Sequence, residues 1–163
     1  MNFRVAVLHG FRRVFAHVAP VFLERGIADV ETKEMSSLSV EPFPGESIVV
    51  TVFEIAEHEV PLFIEREHEF RFLAVTVHTL EGDVSAPKAC KLQSHSENIK
   101  PVFSECSGCS VLAAKNLSQA AYESFLDHTY LGDRTTTIRQ HLASNERIMQ
   151  EEPPLALRER YGG

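Results

Sequence analysis

The chain has no tryptophan, three cysteines and no excess of positive charge. Each shortage excludes a class of protein. Cys90, Cys106 and Cys109 are too few for a disulfide framework and suit a reducing compartment. A formal net charge of −7 without a basic run argues against nucleic acid as a partner, because that affinity is mostly phosphate neutralisation. Long apolar runs are missing too. The strongest, residues 48–56, contains Thr51 and Glu54 and is about half the length that a membrane span needs. Gly10, Gly26 and Gly45 are too scattered for a phosphate-binding loop, and no Gly-x-Ser-x-Gly elbow occurs.

What remains is a chain of 163 residues, 44% hydrophobic, with enough apolar material for one core. Residues 1–150 are read as a single domain. Residues 151–163 contain Pro153-Pro154 and end in Gly-Gly, and are read as a mobile tail. No secretory signal pattern opens the chain, so the expected location is the cytoplasm. A mitochondrial destination is the second reading, because Arg4, Arg12 and Arg13 precede the first acid, Glu24, and an apolar helical stripe can be drawn through Phe3, Val7, Phe11, Val14, Phe15 and Val18.

Along the chain, residues 4–8 read as a strand and residues 11–18 as a second, separated at Gly10. Residues 36–43 and 47–55 flank Pro44-Gly45 and read as a β-hairpin, the second arm β-branched and covered on both faces. A helix is expected over residues 59–69 with Pro61 in its first turn, then a strand over 70–78 and a turn at Glu81-Gly82-Asp83. Residues 84–108 are polar and carry no clear pattern. Helices are expected over 109–117 and 118–131, with Ser118 capping the second, and a last one after Asp133 or Thr135 reaching about Gln150. Strands first and helices last give an α+β class.

The segment Val60 to Phe70 carries most chemistry. On a helix, Val60, Phe63, Ile64 and Glu67 stand at i, i+3, i+4 and i+7 and share a face. Glu67 is therefore a carboxylate on an apolar stripe, where burial would raise its pKa and fit it to move protons near neutral pH. The bland alternatives are an ion pair with a buried arginine, or a helix that ends before Glu67 and leaves it solvated. Cys106 and Cys109 have CxxC spacing, but a zinc site would need further ligands such as Cys90 or His95, so no metal is expected. The polar run from Asp133 to Arg139 reads as helix capping, with an anion site at the helix start as the sharper option.

Glu65-Arg66-Glu67-His68-Glu69-Phe70 before a Val-rich strand resembles the γ-glutamylcyclotransferase superfamily, its ChaC-type branch above all. Phe70 stands where that branch has Tyr. Leu8-His9-Gly10-Phe11-Arg12-Arg13-Val14-Phe15 and Arg25-Gly26 resemble its early strand and later Arg-Gly pair. Residues 112–117, Phe125-Leu126-Asp127-His128-Thr129-Tyr130-Leu131, Asp133-Arg134 and 136–139 resemble its C-terminal part. The matches run over residues 5 to 142 or so. The resemblance implies a small mixed β-barrel-like sheet with flanking helices. It implies cyclisation of a γ-glutamyl amide, glutathione or a relative, to 5-oxoproline, with Glu67 as general acid/base and no cofactor or metal. Arg66 and Phe70 become candidate substrate-binding residues. The family's N-terminal Tyr-Gly-Ser-Leu strand and loop have no counterpart here. The same resemblance thus accommodates a truncated enzyme or a catalytically silent relative that acts as a binding or regulatory module.

Overall fold

A computed structural model describes residues 3–18, 36–66, 70–83, 88–93 and 107–145. The elements run β1 (Phe3–Val18), β2 (Ser36–Phe53), a 3-10 turn at Glu57–Glu59, α1 (Val60–Arg66), β3 (Phe70–Val75), β4 (Lys88–Gln93), α2 (Ser107–Leu117), α3 (Gln119–Asp127), β5 (Thr129–Tyr130) and α4 (Ile138–Ser144). The mixed sheet has the order β2-β1-β5, antiparallel on one side of β1 and parallel on the other. β3 and β4 form an antiparallel pair. A bridge between Val7 and His78 joins the chain after β3 to β1, with backbone bonds of 2.8 and 2.9 Å. The α+β class, with a mixed sheet and flanking helices, is the one expected. The tail over 151–163 and the Arg25-Gly26 pair lie outside the described residues.

Two local expectations are corrected. Residues 4–8 and 11–18 form one strand, not two. The Pro44-Gly45 hairpin is also absent: both arms pair with β1, from Phe3↔Phe53 to Val18↔Ser36. Between His9↔Ser47 and Phe11↔Pro42 the register jumps, so Phe43, Pro44, Gly45 and Glu46 lie opposite Gly10 alone. Gly10 and Gly45 sit at φ of +78° and +95°, which only glycine adopts cheaply. The turn signal therefore marks an excursion within a long strand, a large relative of the β-bulge.

Two buried clusters result. Ala6, Leu8, Ile48 and Val77 form one, with Phe11, Val40, Val50, Val52 and Val75 packed on it. Phe15, Val111, Phe125, Leu126 and Ile138 form the other, between β1 and the C-terminal helices. β2 is covered at Ile48 but exposed at Thr51 and Phe53, so the expected two-sided burial does not reach its end. Ser118 caps α3 as expected, its hydroxyl accepting from the Ala121 N–H at 3.1 Å. That helix stops at Asp127, and the chain turns into β5. α4 is capped by Thr137, not by Asp133 or Thr135: its hydroxyl accepts from the Gln140 N–H, while the Gln140 side chain accepts from the Thr137 N–H. Among the described residues no helix is long and apolar enough to cross a membrane.

Gly10 isolates the backbone term. A Cβ added there meets nothing within 4 Å, so any cost is conformational. Gly10→Ala is expected to lower stability by roughly 1–2 kcal/mol, read as a shifted urea midpoint at unchanged slope.

Candidate functional site

β1 places two charged side chains in succession, and neighbours in a strand face opposite ways. Arg12 and Arg13 are each 8% exposed. Arg12 donates from Nε and Nη2 to one oxygen of Glu41 at 2.8 and 2.6 Å, and from Nη1 to the Arg134 carbonyl at 3.2 Å. Its guanidinium lies 4.1 Å from the Phe43 ring centroid and 5.0 Å from that of Tyr130. Arg134 donates to the other Glu41 oxygen at 3.2 Å. Removing Glu41 would strand the buried Arg12 charge, at a cost of about 3–5 kcal/mol.

The excursion opposite Gly10 delivers Glu46 beside this pair. One of its oxygens accepts the Tyr130 hydroxyl proton, and the other lies 3.8 Å from His128 Nδ1. That oxygen and His128 Nδ1 are both buried without a hydrogen-bond partner. A carboxylate between a phenol and an imidazole can accept, hold and pass a proton. The hydrogen bond to Glu46, with burial and the carboxylate charge, pushes the Tyr130 phenol above its ordinary value.

The Asp133-to-Arg139 run is structural. Asp133 Oδ1 accepts from the Thr135 and Thr136 N–H groups, both at 2.9 Å, and Oδ2 from the Thr136 hydroxyl at 2.5 Å. Burial alone would raise the Asp133 pKa. The hydrogen bonds from Thr136 and Thr135 outweigh it and hold the carboxyl below the usual range. Arg139 is tied to Asp127 and Glu123. Capping holds for Thr137 alone; Asp133 closes a turn with Thr135 and Thr136, and Arg139 makes ion pairs.

Glu67 lies outside the described residues. Arg66 ends α1 and Phe70 opens β3, but the side chains of both lie outside the described set. Cys106 also lies outside, and Cys90 and Cys109 are described by backbone alone. The helix carrying the expected stripe starts at Val60, with Pro61 in its first turn. Phe63 packs on Phe72 with ring centroids 5.9 Å apart, but Val60 is 38% and Ile64 49% exposed. The stripe is therefore covered only in part, at the half-buried Phe63. Among the described residues no group of three His, Cys, Asp or Glu side chains could hold a metal.

No protein-family model matches the chain, and no curated protein does. Among solved structures it is similar to a γ-glutamyl cyclotransferase, with a TM-score of 0.50 and 16% identity, over 94% of this chain and 76% of that one. The fold is γ-glutamylcyclotransferase-like. An uncharacterized protein from Homo sapiens is similar at a TM-score of 0.50 and 17% identity, with the same coverage. At such identities the likeness is one of backbone fold. Sequence reasoning flagged Tyr130 and His128 within a matched segment but missed Glu46, whose only signal was an acid beside a Pro-Gly pair.

Two tests follow from the geometry. Glu46→Gln removes the charge facing Tyr130, so the phenol is expected to ionise at lower pH. Absorbance titration reads this, with Tyr130→Phe assigning the step, and an unmoved step would separate Tyr130 from Glu46. Asp133 and Asp127 both have lowered pKa values, Asp127 chiefly through its hydrogen bond from Arg139. Their stabilisation is present above the unfolded value near 4 and lost as pH falls through the folded values. The melting temperature should fall on acidification in that window, and Asp133→Asn should flatten the fall.

Proposed function

We propose that the chain is a γ-glutamylcyclotransferase-like enzyme that converts a γ-glutamyl amide into 5-oxoproline and a free amine, with Glu67 as general acid/base. The carrying observation is the backbone likeness to a γ-glutamyl cyclotransferase over 94% of the chain. It is supported by the order of the segments that resemble the family, Glu65 to Phe70 among them.

In this reaction the substrate's α-amine attacks its own γ-carbonyl carbon. A ring C–N bond forms and the amide C–N bond breaks. Glu67 takes a proton from the attacking ammonium and returns one to the leaving nitrogen; the new lactam nitrogen sheds a second proton and the freed amine takes one up, so no net proton, metal or cofactor is consumed. Arg66 and Phe70 are the candidate substrate contacts. Glutathione is the first substrate to try, and other γ-glutamyl dipeptides and γ-glutamylamines share its reacting half. A cytoplasmic location and ChaC-type kinship belong to the same reading.

One observation favours a second reading, a catalytically silent relative that binds or regulates. Val60 and Ile64, which share the expected face with Glu67, are exposed, and a solvated face does little to raise a carboxylate pKa. The readings divide on 5-oxoproline release from glutathione by the parent chain and Glu67→Gln. The enzyme reading expects release by the parent and a loss of at least about a hundredfold in the variant, the lower range for removing a general acid/base. No release across the γ-glutamyl series would overturn the enzyme reading for this chain.

A further inference from the structure

Arg13 is a buried cation without a counter-ion among the described residues. Its Nη2 donates to the Val49 carbonyl, and Nη1 lies 3.4 and 3.5 Å from the carbonyl and hydroxyl oxygens of Ser124. Its guanidinium lies 5.7 Å from the Phe125 ring centroid. None of these partners is anionic, and a guanidinium has five N–H donors. Burial lowers its pKa to about 10, so it is still charged at neutral pH. Its neighbour Arg12, in the same strand, has Glu41.

Arg13 is among the residues that line an open cavity of about 450 Å³, a size usual for small-molecule sites. Burial gives the cavity a direction. Arg13, Ala121 and Phe125 are buried and form its floor, while Phe3, Thr51 and Ala113 are exposed and form its rim. The other described residues of its wall, Val49, Val50, Ala114 and Leu117, are aliphatic. A cation at the floor of an apolar cavity selects an anion with an apolar body. A carboxylate matches the planar fork of a guanidinium.

We propose that this cavity binds a small carboxylic acid with an apolar body, its carboxylate on Arg13 and its body running out toward Phe3. The site does not depend on the cyclotransferase reaction and involves none of the residues assigned to it.

The test is calorimetric titration of the full chain with 4-phenylbutyrate and with 4-phenylbutan-1-ol, which has the same body and no charge. The acid is expected to bind at least tenfold more tightly. Arg13→Met should erase that preference and leave weak binding of the alcohol. Ala113→Leu, a change at an exposed helical position on the rim, should weaken the acid at least fivefold with an unchanged circular dichroism spectrum. This second variant decides the matter if Arg13→Met does not fold. Absence of binding, equal binding of acid and alcohol, or an acid affinity untouched by Ala113→Leu would each overturn the proposal.

Discussion

Two adjacent buried guanidiniums hold the N-terminal strands to the C-terminal half. Arg12 and Arg13 occupy neighbouring positions of β1, so the alternation of the strand sends them to opposite sides. Arg12 reaches Glu41 on β2 and the Arg134 carbonyl, more than a hundred residues away in sequence. Arg13 reaches Val49 on β2 and Ser124 on α3. The Ser124 hydroxyl also accepts from the Val49 N–H at 2.9 Å. The register of β1 on β2 thus fixes the placing of α3 and β5. A slip of one residue would turn every side chain of β1 to the other face, so the pairing of Arg12 with Glu41 helps to specify the register.

The two sides differ in electrostatic completeness. Around Arg12, each charge is answered: Glu41 accepts from two arginines, and two aromatic rings cover the guanidinium. Around Arg13, carbonyls and a hydroxyl supply partial charge only. A buried ion without an opposite charge costs several kcal/mol, and a fold that keeps one usually has a use for it. The Glu46 site is incomplete in another way. One oxygen is engaged by Tyr130, while the other and His128 Nδ1 face each other beyond hydrogen-bond range. That gap is set by backbone, because Glu46 rides on the β2 excursion and His128 on the turn between α3 and β5.

These features divide by how local their causes are. Ser118 was legible because a cap acts over three residues, and the α+β class because strand-like and helix-like periods are local. Pro44-Gly45 misled for the same reason. A turn signal states that the chain bends but not whether it reverses, and here β1 supplies the partner for both arms. Gly10 was noticed as a break, but whether a glycine ends a strand or bulges it depends on the opposite strand. The contacts of Glu46 with Tyr130 and of Arg13 with Ser124 span 84 and 111 residues. No spacing rule reaches so far.

Glu67 shows the limit of a periodicity argument. The stripe of Val60, Phe63 and Ile64 was drawn on the premise that an apolar face is a buried face. In the fold, α1 rests on β3 through Phe63 and Phe72, while Leu62, Val60 and Ile64 stay in solvent. A helix of seven residues touching a two-stranded sheet has little surface to bury against. With the stripe exposed at Val60 and Ile64, the proposal for Glu67 draws on the resemblance of residues 65–70 and not on an apolar face.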